Sequence, residues 1–305
     1  MRIVFMGTPQ IAKVCLQKLV EEGHEIVGVY TKIDTPKNRG HKLAMSEVKE
    51  YALSVGLPVY QPTTFKDDTV FEELKALRPE LIVAVAYGKI LPQRVLDIPK
   101  YGCLNMHGSI LPEFRGPAPI QWSILSHKDE AGITAMYMSA GMDEGDMIEV
   151  RKTPIDPMET SGELMERLAF IAADLCADTV RAMENGTVTR TAQDGSKATY
   201  APMLTKEMSP IDWTQSGRNV IDQVRGLIPW PVATTEIQGK TFKIFRVERT
   251  GETTEREPGT LLALTKQGLT VACGGGEVLL IKELQAEGGK RMNAADYFRG
   301  HPITI

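Results

Sequence analysis

The run Leu81-Ile82-Val83-Ala84-Val85-Ala86 constrains the fold of this chain more than any other segment. A strand with one wet face alternates apolar and polar residues, and this run does not alternate. It fits a strand of a parallel sheet covered by helices on both faces. The start of the chain supplies a matching unit. Residues 2–6 are apolar and lead into Gly7-Thr8-Pro9. A helix is predicted over about residues 9–22, with Thr8 as its cap and Pro9 in its first turn. It should end at Gly23, and Ile26 to Tyr30 then reads as a second strand. Strand–helix–strand is the building block of a parallel sheet. Further helices are predicted over 117–126 and 160–184. The second has Thr160 and Glu163 at capping-box spacing and a stop at Asn185-Gly186.

The expected fold class is therefore α/β, with a Rossmann-like, doubly wound, mostly parallel sheet over residues 1–190. A chain of 305 residues is long enough for a second domain. The character changes after residue 190: 191–208 reads as a linker rich in Thr, Gln, Asp, Gly and Ser. From 209 to 305, short alternating runs are broken by turns at Gln238-Gly239, Lys266-Gln267-Gly268 and Gly274-Gly275-Gly276. That spacing suggests a small antiparallel barrel or sandwich.

Charge excludes a strongly basic nucleic-acid binder. The first 200 residues carry 22 basic and 27 acidic side chains, the last 105 carry 13 and 12, and the net charge is −4. Any polyanion has to be met by local patches. Cys15, Cys103, Cys176 and Cys273 are far apart and form no C-x-x-C pair, so buried thiols in a reducing compartment are expected. Met1-Arg2-Ile3-Val4-Phe5 lacks a signal-peptide layout, and no apolar run reaches the length of a membrane span. The cytoplasm is the expected location.

Four segments carry chemistry. In Asn105-Met106-His107-Gly108-Ser109-Ile110-Leu111-Pro112-Glu113-Phe114-Arg115-Gly116, Asn105 and His107 fall at a strand end, two apart and so on one side. An amide donor beside a proton carrier suits acyl-type transfer, and the pair reads equally as a structural polar contact. Ser139-Ala140-Gly141-Met142-Asp143-Glu144-Gly145-Asp146 follows another strand-like run. If the two loops meet at carboxyl strand ends, a carboxylate there can orient the imidazole; otherwise this is a solvated acidic turn. The acids lack a histidine at ligand spacing, so no metal site is expected. Tyr87-Gly88-Lys89-Ile90-Leu91-Pro92 offers backbone groups to a flat heterocycle, or is simply a strand-to-helix turn. The loop Lys32 to Lys42 holds Lys37 and Arg39 among its cations, next to Gly40, and can reach a phosphate or stay solvated. Gly7 stands alone after the first strand, so the dinucleotide fingerprint G-x-G-x-x-G is absent and nicotinamide chemistry is not expected.

In order along the chain, these segments are specific together. Gly-Thr-Pro, the basic loop, Ala-Tyr-Gly-x-Ile-Leu-Pro, Asn-x-His-Gly-Ser-x-Leu-Pro-x-x-Arg-Gly-x-x-Pro-Ile-Gln and Gly-Met-Asp-x-Gly-Asp-Met resemble the methionyl-tRNA formyltransferases over essentially the whole chain. That family belongs to the wider group using 10-formyltetrahydrofolate as formyl donor, with no metal. The resemblance implies that Asn105, His107 and Asp143 are catalytic. It implies folate-binding roles for Ala86, Tyr87, Gly88, Ile90, Leu91, Ser139, Ala140 and Gly141, and for Ser109, Leu111, Pro112 and Gly116 of the signature. It makes the basic loop an insertion that reaches the tRNA acceptor stem, with Arg39 matching its arginine; Lys37 and Lys42 beside it are further candidate tRNA contacts. It also makes the C-terminal part an oligonucleotide-binding (OB-like) barrel; because the chain is mildly acidic, its basic positions Lys240, Lys243, Arg246 and Arg249 are the candidate RNA contacts there. Glu113 stands where a basic residue is common and Asn38 where a glycine is usual; neither touches the triad.

The activity so implied is formyl transfer to the amino group of methionine on initiator methionyl-tRNA, for translation initiation, with Asn105 as oxyanion donor. His107 is expected to move the proton, and when protonated to add a second donor. No obligate protein partner is evident. The same chemistry can serve an amino-sugar nucleotide as acceptor, or water as a 10-formyltetrahydrofolate hydrolase.

Overall fold

The computed structural model describes residues 1–37 and 42–305, and all their side chains except those of residues 36, 37, 42 and 43. They fall into two compact units. The first comprises Met1–Pro119, Glu130–Pro154 and Met165–Pro202; the second comprises Ile120–Asp129, Ile155–Leu164 and Met203–Ile305.

The strands of the first unit are β1 (Arg2–Gly7), β2 (Glu25–Tyr30), β3 (Thr35–Lys37), β4 (Lys42–Ala44), β5 (Val59–Tyr60), β6 (Leu81–Val85), β7 (Cys103–His107), β8 (Glu130–Tyr137) and β9 (Met147–Pro154). Seven of them form one sheet in the order β5-β2-β1-β6-β7-β8-β9, while β3 and β4 pair separately. The strands from β5 to β7 run parallel. As its unbroken apolar run requires, β6 is buried along its whole length, and Ile3 to Met6 of β1 beside it are fully buried too.

At β8 the sheet turns antiparallel: Leu104 pairs with Tyr137 and His107 with Thr134. The carboxyl end of β8 therefore lies beside the amino end of β7, and Met138 N–H donates to the Cys103 carbonyl at 2.8 Å. The acidic loop after β8 does not share a carboxyl edge with Asn105 and His107, as the sequence had suggested. It has to double back.

The helix Gln10–Glu21 begins one residue later than expected. Pro9 is extended (φ −84°, ψ 179°) and takes the cap position without a side-chain bond. Thr8 is thus one residue too early to reach the first free N–H groups, and its hydroxyl has no partner. The capping box at Thr160 and Glu163 forms as read. The Glu163 carboxylate accepts from Thr160 N at 2.8 Å, and Thr160 Oγ1 accepts from Glu163 N at 3.3 Å. The helix it opens, Ser161–Glu184, ends before Gly186 in the left-handed region (φ +67°). All four cysteines are free and buried, and burial pushes the Cys103 thiol up to about 12.

In the second unit, β10 (Ala233–Ile237), β11 (Lys240–Thr253), β12 (Leu261–Leu264), β13 (Leu269–Ala272), β14 (Glu277–Ala286) and β15 (Met292–Asn293) form one antiparallel sheet. Gln238 and Gly239 both have positive φ (+49° and +74°), the geometry of a tight two-residue hairpin between β10 and β11. Sequence patterning overlooked the helix Gly217–Gly226, which Ser216 caps by accepting from Asn219 N. Glycines at both ends and β-branched residues inside lower its propensity, and tertiary packing overrides that. Its buried Asp222 accepts from Arg225 at 2.7 Å and meets His127 at 2.7 Å. None of the described helices is long and apolar enough to cross a membrane.

Candidate active site

His107 closes β7 and is only 6% exposed. Its Nε2 lies 2.9 Å from the Phe114 carbonyl oxygen. A carbonyl can only accept, so Nε2 carries the hydrogen and Nδ1 is the nitrogen left to exchange a proton. Nδ1 faces Asp143 Oδ2 at 3.7 Å. The same Oδ2 accepts the Gly116 N–H at 2.8 Å, which fixes the carboxylate against the loop that follows β7. Asn105, half-buried and two residues earlier on β7, makes no side-chain hydrogen bond within the described residues. A donor left unspent beside a held imidazole is what stabilising a developing oxyanion calls for.

The loop from Gly108 to Gly116 is fixed from inside. The Ser109 hydroxyl, fully buried, donates to the Glu113 carbonyl at 2.6 Å. Thr134 Oγ1 donates to the Ser109 carbonyl and accepts from Leu111 N. Leu111 is buried as well. A Cβ on Gly116, whose φ is +113°, would stand 2.6 Å from the Tyr200 ring, so only glycine brings its N–H to Asp143.

The acidic loop doubles back through Gly145. A Cβ there would meet the Tyr137 carbonyl at 1.9 Å. Asp143 itself sits at φ +53°, a conformation that non-glycine residues hold only when their surroundings impose it. Gly141 packs under the Glu144 carboxylate, while Ser139 and Ala140 are exposed. Alongside runs a cleft lined by Arg115, Tyr137, Ser139, Glu144, Arg190 and Gln193. Arg190 lies over the Tyr137 ring at 3.7 Å, a cation–π contact.

In the turn after β6, the Tyr87 ring is buried edge-on to Phe65, with centroids 6.1 Å apart. Leu91 is buried too. That anchorage leaves Ala86 and Gly88 exposed, both at positive φ, and Ile90 83% exposed. Lys89 donates to the carbonyls of Pro62 and Thr63 at 2.7 Å each, and burial with nearby Lys32 holds its ammonium below the usual lysine range. The turn thus presents backbone and an apolar side chain outward, which suits a flat heterocycle.

The cationic positions are placed unevenly. Arg39 lies outside the described residues, as do the side chains of Lys37 and Lys42. Lys240 and Lys243 are exposed on β11; Lys243 is on the face opposite buried Phe242, and Lys240 is at the hairpin end. No group of acids, histidines or cysteines able to hold a metal occurs among the described residues. Two residues that sequence reasoning had left without a role, Arg115 and Gln193, join the site. The Gln193 amide oxygen accepts from Arg115 at 3.1 and 2.9 Å, and its nitrogen donates to the Asp143 and Gly145 carbonyls.

The family described as formyl transferase matches residues 1–180, and its C-terminal domain matches residues 203–302. The methionyl-tRNA formyltransferase of Acetivibrio thermocellus is 46% identical over 304 residues, covering 99% of this chain and 97% of that protein. The methionyl-tRNA formyltransferase of Bacillus subtilis is 45% identical over 299 residues, covering 98% and 94%. Among solved structures, an N-formyltransferase from Helicobacter canadensis, in complex with folinic acid and dTDP-3-aminofucose, aligns with a TM-score of 0.71 at 18% identity, covering 92% of this chain and 98% of that one. HypX from Aquifex aeolicus, in complex with tetrahydrofolic acid, aligns at 0.66 and 19% identity, covering 98% of this chain and 47% of that one. These two share the fold. On the family match and the full-length relatives together, the chain belongs to the formyl transferase family.

Proposed function

We infer that the chain transfers a formyl group from 10-formyltetrahydrofolate to the amino group of methionine on initiator methionyl-tRNA, giving N-formylmethionyl-tRNA for translation initiation. The observation that carries the chemistry is the arrangement around His107: Nε2 spent on the Phe114 carbonyl, Nδ1 toward Asp143, and the Asn105 amide unspent two residues away. The acceptor rests on relatives that share 44–46% of their residues over nearly the full chain.

The methionyl amine attacks the formyl carbon on N10 of the folate, giving a tetrahedral centre with negative charge on the former carbonyl oxygen. Asn105 donates its amide N–H to that oxygen. The amine must lose a proton and N10 must gain one as the carbon–N10 bond breaks. His107 Nδ1 accepts the first and returns the second, and the imidazolium formed between faces the Asp143 carboxylate. Folate binding falls to the exposed backbone of Ala86, Gly88 and Ile90, with Tyr87 and Leu91 anchoring that turn, and to Ser139, Ala140 and Gly141. Ser109, Leu111, Pro112 and Gly116 hold the signature loop against it. The tRNA is met by Lys37, Arg39 and Lys42 and by Lys240 and Lys243.

Comparing turnover on methionyl-tRNA with turnover on an amino-sugar nucleotide, each with 10-formyltetrahydrofolate, tests this reading. Formylated methionyl-tRNA is the expected product. Faster formylation of the sugar would overturn the acceptor and keep the chemistry.

A further inference from the structure

The segment that reads as a linker passes directly along the catalytic cluster. Thr191 exchanges backbone hydrogen bonds with Met147 at 2.8 and 2.9 Å. Farther on, the Thr199 hydroxyl accepts from Phe114 N at 2.8 Å, the Thr199 carbonyl accepts from Arg115 N at 2.9 Å, and Ala201 N donates to the Arg115 carbonyl at 2.7 Å. Between these two attachments stands Gln193.

The Gln193 side chain uses its full hydrogen-bonding capacity. Its Nε2 donates to the carbonyls of Asp143 and Gly145, at 2.8 Å each. Its Oε1 accepts from Arg115 Nε at 3.1 Å and from a second guanidinium nitrogen at 2.9 Å. Two donors and two lone pairs are all that a primary amide has. The orientation is also fixed by chemistry. A flipped amide would set oxygen against two carbonyls and nitrogen against a guanidinium. A carboxylate can hold the arginine but cannot donate to the carbonyls, and a hydrocarbon can do neither.

The residue so gripped is the one that most needs holding. Asp143 stands in the left-handed region, at φ +53°, and its Oδ2 must meet Gly116 N and His107 Nδ1 together. Gln193 takes hold of the Asp143 carbonyl on one side. Through Arg115 it takes hold of the loop on the other side, one residue before Gly116. The Asp143 turn and the loop carrying Phe114 and Gly116 are thus tied to a single side chain.

We propose that Gln193 is a positioning residue for formyl transfer, locking the Asp143 turn and the Arg115 loop into the one register in which Asp143 faces His107. This rests on the catalytic reading of Asn105, His107 and Asp143 given above. The segment carrying Gln193 is on this account a strap across the active site rather than a spacer.

The test is a double-mutant cycle in the full-length enzyme, with formyl transfer to methionyl-tRNA as the readout. Gln193→Ala should lower kcat about 10- to 100-fold, as misplacement of a reacting group does. KM for both substrates and the thermal midpoint should stay near wild type. Gln193→Glu should be no better than Gln193→Ala, because it keeps the arginine and loses both donors. In an Asp143→Ala background, Gln193→Ala should cost less than about 2-fold more, since the group it positions is gone. A full further loss in that background, or a wild-type kcat in Gln193→Ala, would overturn the proposal. A fall in kcat that merely tracks a lowered thermal midpoint would do the same. Wild-type turnover in Asn105→Ala would instead show that the catalytic reading itself is wrong.

Discussion

The surroundings of His107 and the two lysines of β11, Lys240 and Lys243, are built on opposite principles, whereas Arg246 and Arg249 of the same strand are paired with Glu248 and Glu277. Around His107, nearly every polar group is committed: Nε2 to Phe114, Asp143 to Gly116, Ser109 to Glu113, and all four positions of the Gln193 amide. On β11, Lys240 and Lys243 stand exposed. On the function proposed above, the difference follows from the tasks. Stabilising charge on one oxygen demands donors aimed before the reaction begins. Attracting a polyanion demands only charge at a surface, and there order costs side-chain entropy without return. On the proposed reading, a chain with net charge −4 has to concentrate its RNA affinity in such places.

If that contrast is right, substitutions around His107 act on kcat in large steps, and those among the cations act on tRNA affinity in small ones. His107→Ala should lower kcat by about 100- to 10,000-fold, the range for a general acid–base group. Asn105→Ala should lower it by about 100- to 1000-fold with the circular dichroism spectrum unchanged. Near-normal turnover in either would end the distinction.

A third substitution separates stability from chemistry. Asp222→Ala leaves Arg225 buried without its carboxylate, although the Arg225 bonds to the Asp156 and Glu159 carbonyls remain. It should destabilise the fold by about 2–3 kcal/mol in denaturant titration. The enzyme that remains folded should keep its kcat.

Arg39→Ala should raise KM for methionyl-tRNA by roughly 10-fold, and lower the salt dependence of tRNA binding by about one phosphate contact. KM for the folate should be unmoved. Lys240→Ala and Lys243→Ala should each weaken tRNA binding by only about 2- to 3-fold, the smallest effects of the series. An equal effect of Arg39→Ala on folate and tRNA would place that loop in the chemistry and blur the contrast.

The sequence made the frame of the active site readable because its signals are local. The unbroken apolar run of β6 demanded a doubly covered strand, and two residues separated by one on β7 had to face one side. The capping box at Thr160 was legible for the same reason. What escaped depends on distant partners. The turn to antiparallel at β8 leaves no mark on β8 itself, so nothing in the sequence said that Asp143 reaches His107 by doubling back. Thr8 was misread by one residue because Pro9 accepts the cap position as readily as the first helical one. Gln193, polar and flanked by Ala192 and Asp194, has the composition of a linker. Its three partner residues, Arg115, Asp143 and Gly145, lie 48 to 78 residues away along the chain, beyond any pattern that spacing can display.

The most direct test of the whole account follows 10-formyltetrahydrofolate consumption by the wild-type enzyme with and without methionyl-tRNA, alongside formylmethionyl-tRNA formed. A site built to spend its oxyanion donor on an amine acceptor predicts consumption only when the charged tRNA is present, with one formylmethionyl-tRNA for each folate released. Formate released at the same rate without tRNA would contradict it and make the enzyme a hydrolase.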